Sequence, residues 1–297
     1  RRLCNRLLQM TGNSLYADYM ETAIYNALMA SLKADASQIA KYSPLEGWRH
    51  EGEEQCGMHI NCCNANGPRA FAMIPGFAYQ VQNDCVRVNF YAPSEAELVL
   101  PGKKSVWLRQ TTEYPRTDQI EIEVDPTKET TFTIALRIPA WSKIATVSVN
   151  GRPEAGVLQG AYLPVNRKWK KGDRITVKLD LRARLVERNQ AQAIVRGPLV
   201  LARDSRFGDG SVDEASVVVS KDGYVELIPV EAPDFAWLAF TAPMVLGTDL
   251  ESHRTPRQIH FCDFASAGNT WDKTQRYRVW LPKTLNVMHS PYKPYNQ

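Results

Sequence analysis

Three of the six cysteines in this 297-residue chain fall within eight residues, in Glu54-Gln55-Cys56-Gly57-Met58-His59-Ile60-Asn61-Cys62-Cys63-Asn64. Adjacent cysteines cannot bridge each other without heavy strain, so Cys62 and Cys63 are expected as thiols. Thiolates are good zinc ligands, and such sites draw three or four Cys, His or carboxylate donors. The spacing is not that of a zinc finger. Two small cysteines buried in a core would give the same letters, so zinc ligation and simple burial both stay open at this point. A closed structural zinc module would use Cys56, His59, Cys62 and Cys63. His59 could equally be a structural histidine, and Cys56 a buried thiol.

The elements around this segment change character along the chain. Leu3, Leu7, Leu8 and Met10 lie at helical spacing, and Gly12 is placed to end that helix. No capping residue precedes Arg1, so the chain is expected to begin inside a helix of a larger protein. A second helix is predicted from Ser14 to Lys33, with Ala17, Met20, Ile24, Ala27, Leu28 and Leu32 as its apolar stripe and Ser14 as its cap. Residues 34–67 lose periodicity, and loops of that length are more often functional than idle. Pro68 then reads as the first residue of a short helix ending at Ile74.

From Val86 the hydrophobic period switches from 3.6 to 2. Val86, Val88 and Phe90 alternate with polar residues, as do Ile120, Ile122 and Val124, and Phe132, Ile134, Leu136 and Ile138. Asn150-Gly151 is a strong hairpin-turn signal. Short alternating strands at this spacing predict an antiparallel β-sandwich over 86–185. Residues 186–297 hold further strands (193–202, 217–219 and 277–281) and read as a second β-rich domain. The whole is an α+β multidomain chain with helices in 1–85.

Composition narrows the partners. Net charge is +4 with basic residues spread along the chain, which is not the footprint of a nucleic-acid binder. No apolar run approaches the ~18 residues needed to span a bilayer, so no membrane partner is expected. Trp107, Trp141, Trp169, Trp237, Trp271 and Trp280 could stack on sugars if exposed, although scattered Trp are usually core residues. A non-catalytic carbohydrate-binding β-sandwich protein is therefore an alternative to an enzyme.

Several ordered motifs carry a family resemblance. Cys62-Cys63-Asn64-Ala65-Asn66-Gly67-Pro68-Arg69 resembles the paired-cysteine motif of the β-L-arabinofuranosidases of glycoside hydrolase family 127 and their relatives. Tyr16-Ala17-Asp18-Tyr19-Met20-Glu21-Thr22-Ala23-Ile24-Tyr25-Asn26 is similar to that family's Glu-bearing helix, and Tyr42-Ser43-Pro44-Leu45 to its Tyr-x-Pro-Leu segment. Val86-Arg87-Val88-Asn89-Phe90-Tyr91, Arg137-Ile138-Pro139-Ala140-Trp141 and Arg196-Gly197-Pro198-Leu199-Val200 follow in the family's order. The likeness extends to about residue 204 and weakens beyond it.

The resemblance implies a retaining glycosidase acting on plant-type glycans, with a zinc-bound cysteine in place of the usual carboxylate nucleophile. Cys62 would then be nucleophile and zinc ligand, Cys63 a zinc ligand, and Glu21 and Tyr42 contacts to the sugar. Away from that role, Glu21 would be a solvated helix residue and Tyr42 a loop packer. In the family, a Glu-x-Cys ligand pair and the acid/base Glu lie upstream of the position of Arg1. The chain is thus expected to hold the terminal helices of a truncated (α/α)6 barrel followed by β-sandwich domains, to lack the N-terminal barrel segment, and to be inactive alone.

Overall fold

The computed structural model describes residues 2–51, 62–247 and 255–283. The chain is largely β-structure and divides into two compact units: residues 1–28 with 61–181, and residues 29–60 with 182–297. Residues 29–60, expected within the domain of residues 1–85, thus cluster with the second unit.

In the first unit, helix α1 (Arg2–Thr11) ends where Gly12 takes φ +67° and its N–H returns to the Leu8 carbonyl at 2.8 Å. A left-handed C′ residue is cheapest as glycine, which is why this stop was legible. Helix α2 (Leu15–Ala23) follows. Ser14 does not cap it: its hydroxyl donates to the Gly160 carbonyl at 2.6 Å, and the Asn13 side chain accepts the Leu15 N–H at 3.0 Å instead. The single helix expected to Lys33 is also shorter. Ile24–Leu28 form a π turn and Met29–Ser31 a 3-10 turn. Asn26 donates its side-chain amide to the Thr22 carbonyl at 2.7 Å, the acceptor its own backbone N–H would use in a continuing α-helix.

Helix α3 spans Cys62–Ala72, so it starts at the paired cysteines and Pro68 lies inside it rather than at its first position. Proline there removes the hydrogen bond to the Asn64 carbonyl, a cost the helix bears.

The sandwich follows the alternation. A four-stranded sheet runs in the order Ala161–Trp169, Thr130–Ile138, Cys85–Val88, Tyr79–Gln82. A six-stranded sheet runs Ser94–Leu100, Lys104–Thr112, Gln119–Pro126, Asp173–Lys178, Thr146–Val149, Arg152–Pro153. Pairing is antiparallel except between Cys85–Val88 and Thr130–Ile138, which run parallel. Inward residues from both sheets, among them Val86, Leu108, Ile122, Ile134, Leu136, Val149, Ile175 and the fully buried Trp169, make one core. Asn150 and Gly151 have φ +50° and +76°, the left-handed pair a two-residue hairpin demands, with Val149 opposite Arg152. Ile134 to Ile138 are buried without alternation. Such a run means that both faces of the strand are covered, and α2 contributes to the second cover through contacts described below.

The second unit is built on an antiparallel sheet in the order Ser216–Val218, Ala239–Leu246, Arg257–Asp263, Leu199–Asp204, Ala191–Arg196, Ala183–Arg188, Tyr224–Val225. The strand expected over 193–202 is a hairpin of two, turned at Gly197-Pro198. The two-residue strand Glu46–Gly47 pairs with Tyr277–Arg278 and ties the early segment to this sheet.

Candidate functional site

Cys62 and Cys63 occupy the first turn of α3, Cys62 exposed and Cys63 half-buried, both as thiols. The other described cysteines near a sheet differ. Burial pushes the Cys262 thiol well up, and burial likewise raises that of Cys85. Both are thereby held neutral and are poor ligands or nucleophiles. Exposure and adjacency single out Cys62 and Cys63. Cys56 and His59 lie outside the described residues. Among the described residues no group of three or more His, Cys, Asp or Glu is placed to hold a metal. Two adjacent thiols fit zinc in kind, and they supply two of the four donors such an ion usually takes.

Glu21 is not a solvated helix residue: it is 1% exposed. Its Oε1 accepts from Arg137 Nη2 at 2.6 Å and from the Tyr114 hydroxyl at 2.8 Å, and its buried Oε2 has no partner among the described residues. One turn earlier on the same face, Asp18 pairs with Arg137 Nη1 and accepts the Ala140 N–H at 2.9 Å. Arg137 also donates through Nε to the Asn89 carbonyl at 2.5 Å, and its own carbonyl accepts from Tyr91 at 2.6 Å. Burial opposes the charge on Arg137, but the Glu21 and Asp18 carboxylates outweigh it and hold the guanidinium firmly protonated. Burial also raises the hydroxyls of Tyr25, Tyr91 and Tyr114 around the cluster. Two carboxylates three residues apart on an apolar helix stripe were the available sequence signal for this cluster. Their partner, 119 residues away from Asp18, was not legible.

Tyr42 belongs to the second unit and is 53% exposed. The backbone after it is fixed closely. Pro44 O accepts from the Tyr277 hydroxyl at 2.6 Å, Leu45 O from the Val279 N–H at 2.8 Å, and Glu46 pairs with Arg278 at 2.8 Å. Arg49, fully buried, closes the segment: its guanidinium donates to the carbonyls of Ala30 at 2.5 Å, Ala265 at 3.2 Å and Phe264. It lies over the Phe264 and Tyr277 rings at 4.7 and 5.0 Å. Arg49→Met keeps the apolar stem and leaves the buried carbonyls of Ala30 and Phe264 and the part-buried one of Ala265 without this donor. It is expected to cost at least about 2 kcal/mol and to speed hydrogen exchange across 40–50, while exchange in the sandwich strands stays unchanged.

Of the six tryptophans weighed for sugar stacking, Trp141 and Trp169 are core, Trp271 and Trp280 half-buried, and Trp107 and Trp237 exposed at 39% and 43%.

Residues 2–76 match the domain model described as the beta-L-arabinofuranosidase GH127 catalytic domain, and residues 85–181 match that of the GH127 middle domain. The non-reducing end beta-L-arabinofuranosidase of Bifidobacterium longum subsp. longum is 26% identical over 234 residues, covering 70% of this chain and 34% of that protein. The solved GH127 beta-L-arabinofuranosidase of Geobacillus stearothermophilus shares the fold with a TM-score of 0.76 at 22% identity, over 94% of this chain and 48% of its own. A second solved GH127 beta-arabinofuranosidase gives a TM-score of 0.77 at 24% identity, over 95% and 48%. The chain thus spans about a third of the curated relative and about half of each solved one.

Proposed function

Because the chain belongs to the β-L-arabinofuranosidases of glycoside hydrolase family 127, we propose that it forms part of a retaining glycosidase acting on β-L-arabinofuranosides or related plant-glycan linkages, with Cys62 as nucleophile. The observation that carries this is an exposed thiol at the first residue of α3, inside the segment that matches the family's catalytic domain. Helices α1 to α3 would be the last helices of an (α/α)6 barrel. The general acid and the remaining metal donors would come from the part of the relatives' length that this chain does not span.

Cys62 Sγ attacks the anomeric carbon, the glycosidic C–O bond breaks, and the departing oxygen takes a proton from the general acid. Water then attacks the same carbon, its proton passes to the conjugate base, and the C–S bond breaks to return the thiolate. Two displacements at one carbon give net retention. Zinc, when held by Cys62 and Cys63 with further donors, supplies the charge that keeps sulfur a thiolate at neutral pH and eases its departure. On the family's motif Tyr42 would contact the sugar, and Glu21 has only Oε2 to offer a hydroxyl, since Arg137 and Tyr114 hold Oε1. The non-catalytic alternative rests on Trp107 alone among the first unit's tryptophans and leaves Cys62 without a use.

Protein spanning the full length of the relatives should hydrolyse an aryl β-L-arabinofuranoside, and ¹H NMR should show the β-anomer as the first product. Initial release of the α-anomer would overturn the double displacement.

A further inference from the structure

The exposed face of α3 continues past the cysteines into an open cavity of about 350 Å³ in the first unit, lined by Arg2, Asn66, Arg69, Ala70, Met73 and Phe77. Cys62, Asn66, Arg69, Ala70 and Met73 follow at the i, i+4, i+7, i+8 and i+11 spacing of one helical face. Asn66 donates its amide to the Cys62 carbonyl at 3.0 Å, joining the cysteine turn to the cavity wall and leaving its own carbonyl oxygen for a hydroxyl. The charge is unbalanced. Among the described residues no carboxylate lines the cavity, and neither the Arg2 nor the Arg69 guanidinium makes an ion pair or hydrogen bond. Two unpartnered guanidinium groups facing one space make a site for an anion, and their planar forks suit a carboxylate. The remaining wall is apolar: Ala70, Met73 and the buried Phe77. A bare inorganic anion would waste that surface, whereas the C–H face of a sugar ring would cover it.

We propose that this cavity binds a uronic acid residue of the substrate glycan, with Arg2 and Arg69 on its carboxylate and Met73 and Phe77 against its ring. Arg69 follows Cys62 by seven residues, a rise of about 10 Å along α3, and the sugar transferred under the proposed function, an arabinofuranosyl unit, carries no carboxylate. The acidic residue would therefore belong to the leaving group rather than to the sugar transferred. That assignment of side rests on Cys62 as nucleophile; the binding itself does not.

Calorimetric titration of the protein with galacturonate, galactose and inorganic phosphate, at low and high ionic strength, tests it without any turnover. Galacturonate should bind, weaken with salt, and bind at least roughly 10-fold more tightly than either galactose or phosphate. Arg69→Gln and Arg2→Gln should each weaken galacturonate by roughly 10-fold or more, while Arg69→Lys keeps part of the affinity. Galactose or phosphate binding as tightly as galacturonate would overturn the proposal, as would Gln variants that bind like the parent. A Cys62→Ser protein that kept turnover would overturn the nucleophile while leaving the subsite standing.

Discussion

Cys62→Ser, in protein of the relatives' full length, is expected to lower kcat by roughly 10³-fold or more, because the substituted group is the one that forms the bond. A serine hydroxyl occupies the same place on α3 and fits the exposed first turn without strain, so the fold should not move. It is neither ionised at neutral pH nor a comparable zinc ligand. Cys63→Ser should behave differently. Its first consequence is lost metal, and its lost activity should be partly restored by excess zinc, which cannot restore Cys62→Ser. Parallel assays of kcat and bound zinc separate the two. Equal, mild losses in both variants would mean that neither sulfur touches the reacting carbon.

The second large effect is on stability. Arg137→Met should destabilise the first unit by about 3–5 kcal/mol, read from urea unfolding at neutral pH. Methionine replaces the stem of the side chain, but Asp18 and Glu21 are left buried without their shared cation. Most of the cost is that stranded charge and not the loss of attraction itself. Accordingly, the triple change Asp18→Asn, Glu21→Gln, Arg137→Met should recover much of the loss, because removing all partners together leaves no uncompensated ion. If Arg137→Met costs under about 1 kcal/mol, α2 is not locked to the Thr130–Ile138 strand in the way described.

The sandwich and its hairpin were legible because each rests on local chemistry. Alternation from Val86 to Val177 needs only a two-sided strand, and Asn150-Gly151 needs only a turn with two left-handed residues. Gly12 ends α1 for the same kind of reason. The failures share a different cause. Ser14 has the letters of a cap, yet a carbonyl 146 residues away claims its hydroxyl. Pro68 reads as a helix start, but α3 begins at Cys62 and carries the proline through. The two-residue strand Glu46–Gly47 is too short to show any period, and the single strand expected over 277–281 is two short ones, Tyr277–Arg278 and Leu281–Pro282.

The candidate site divides along the same line. Paired cysteines announce themselves by adjacency. Glu21 was identified only through its motif, and its burial depends on Arg137 and Tyr114, which no local pattern connects to it. Arg49 gave no signal at all. It stands between Trp48 and His50 as an ordinary charged loop residue, and its three carbonyl partners come from residues 30, 264 and 265.

In the proposed mechanism the sulfur of Cys62 becomes bonded to the sugar. Protein of the relatives' length can be incubated with a slow β-L-arabinofuranosyl substrate bearing a good leaving group, quenched in acid, and mapped by peptide mass spectrometry. One pentosyl residue on Cys62 is the predicted result; a pentosyl residue on a carboxylate or on Cys63 would contradict it.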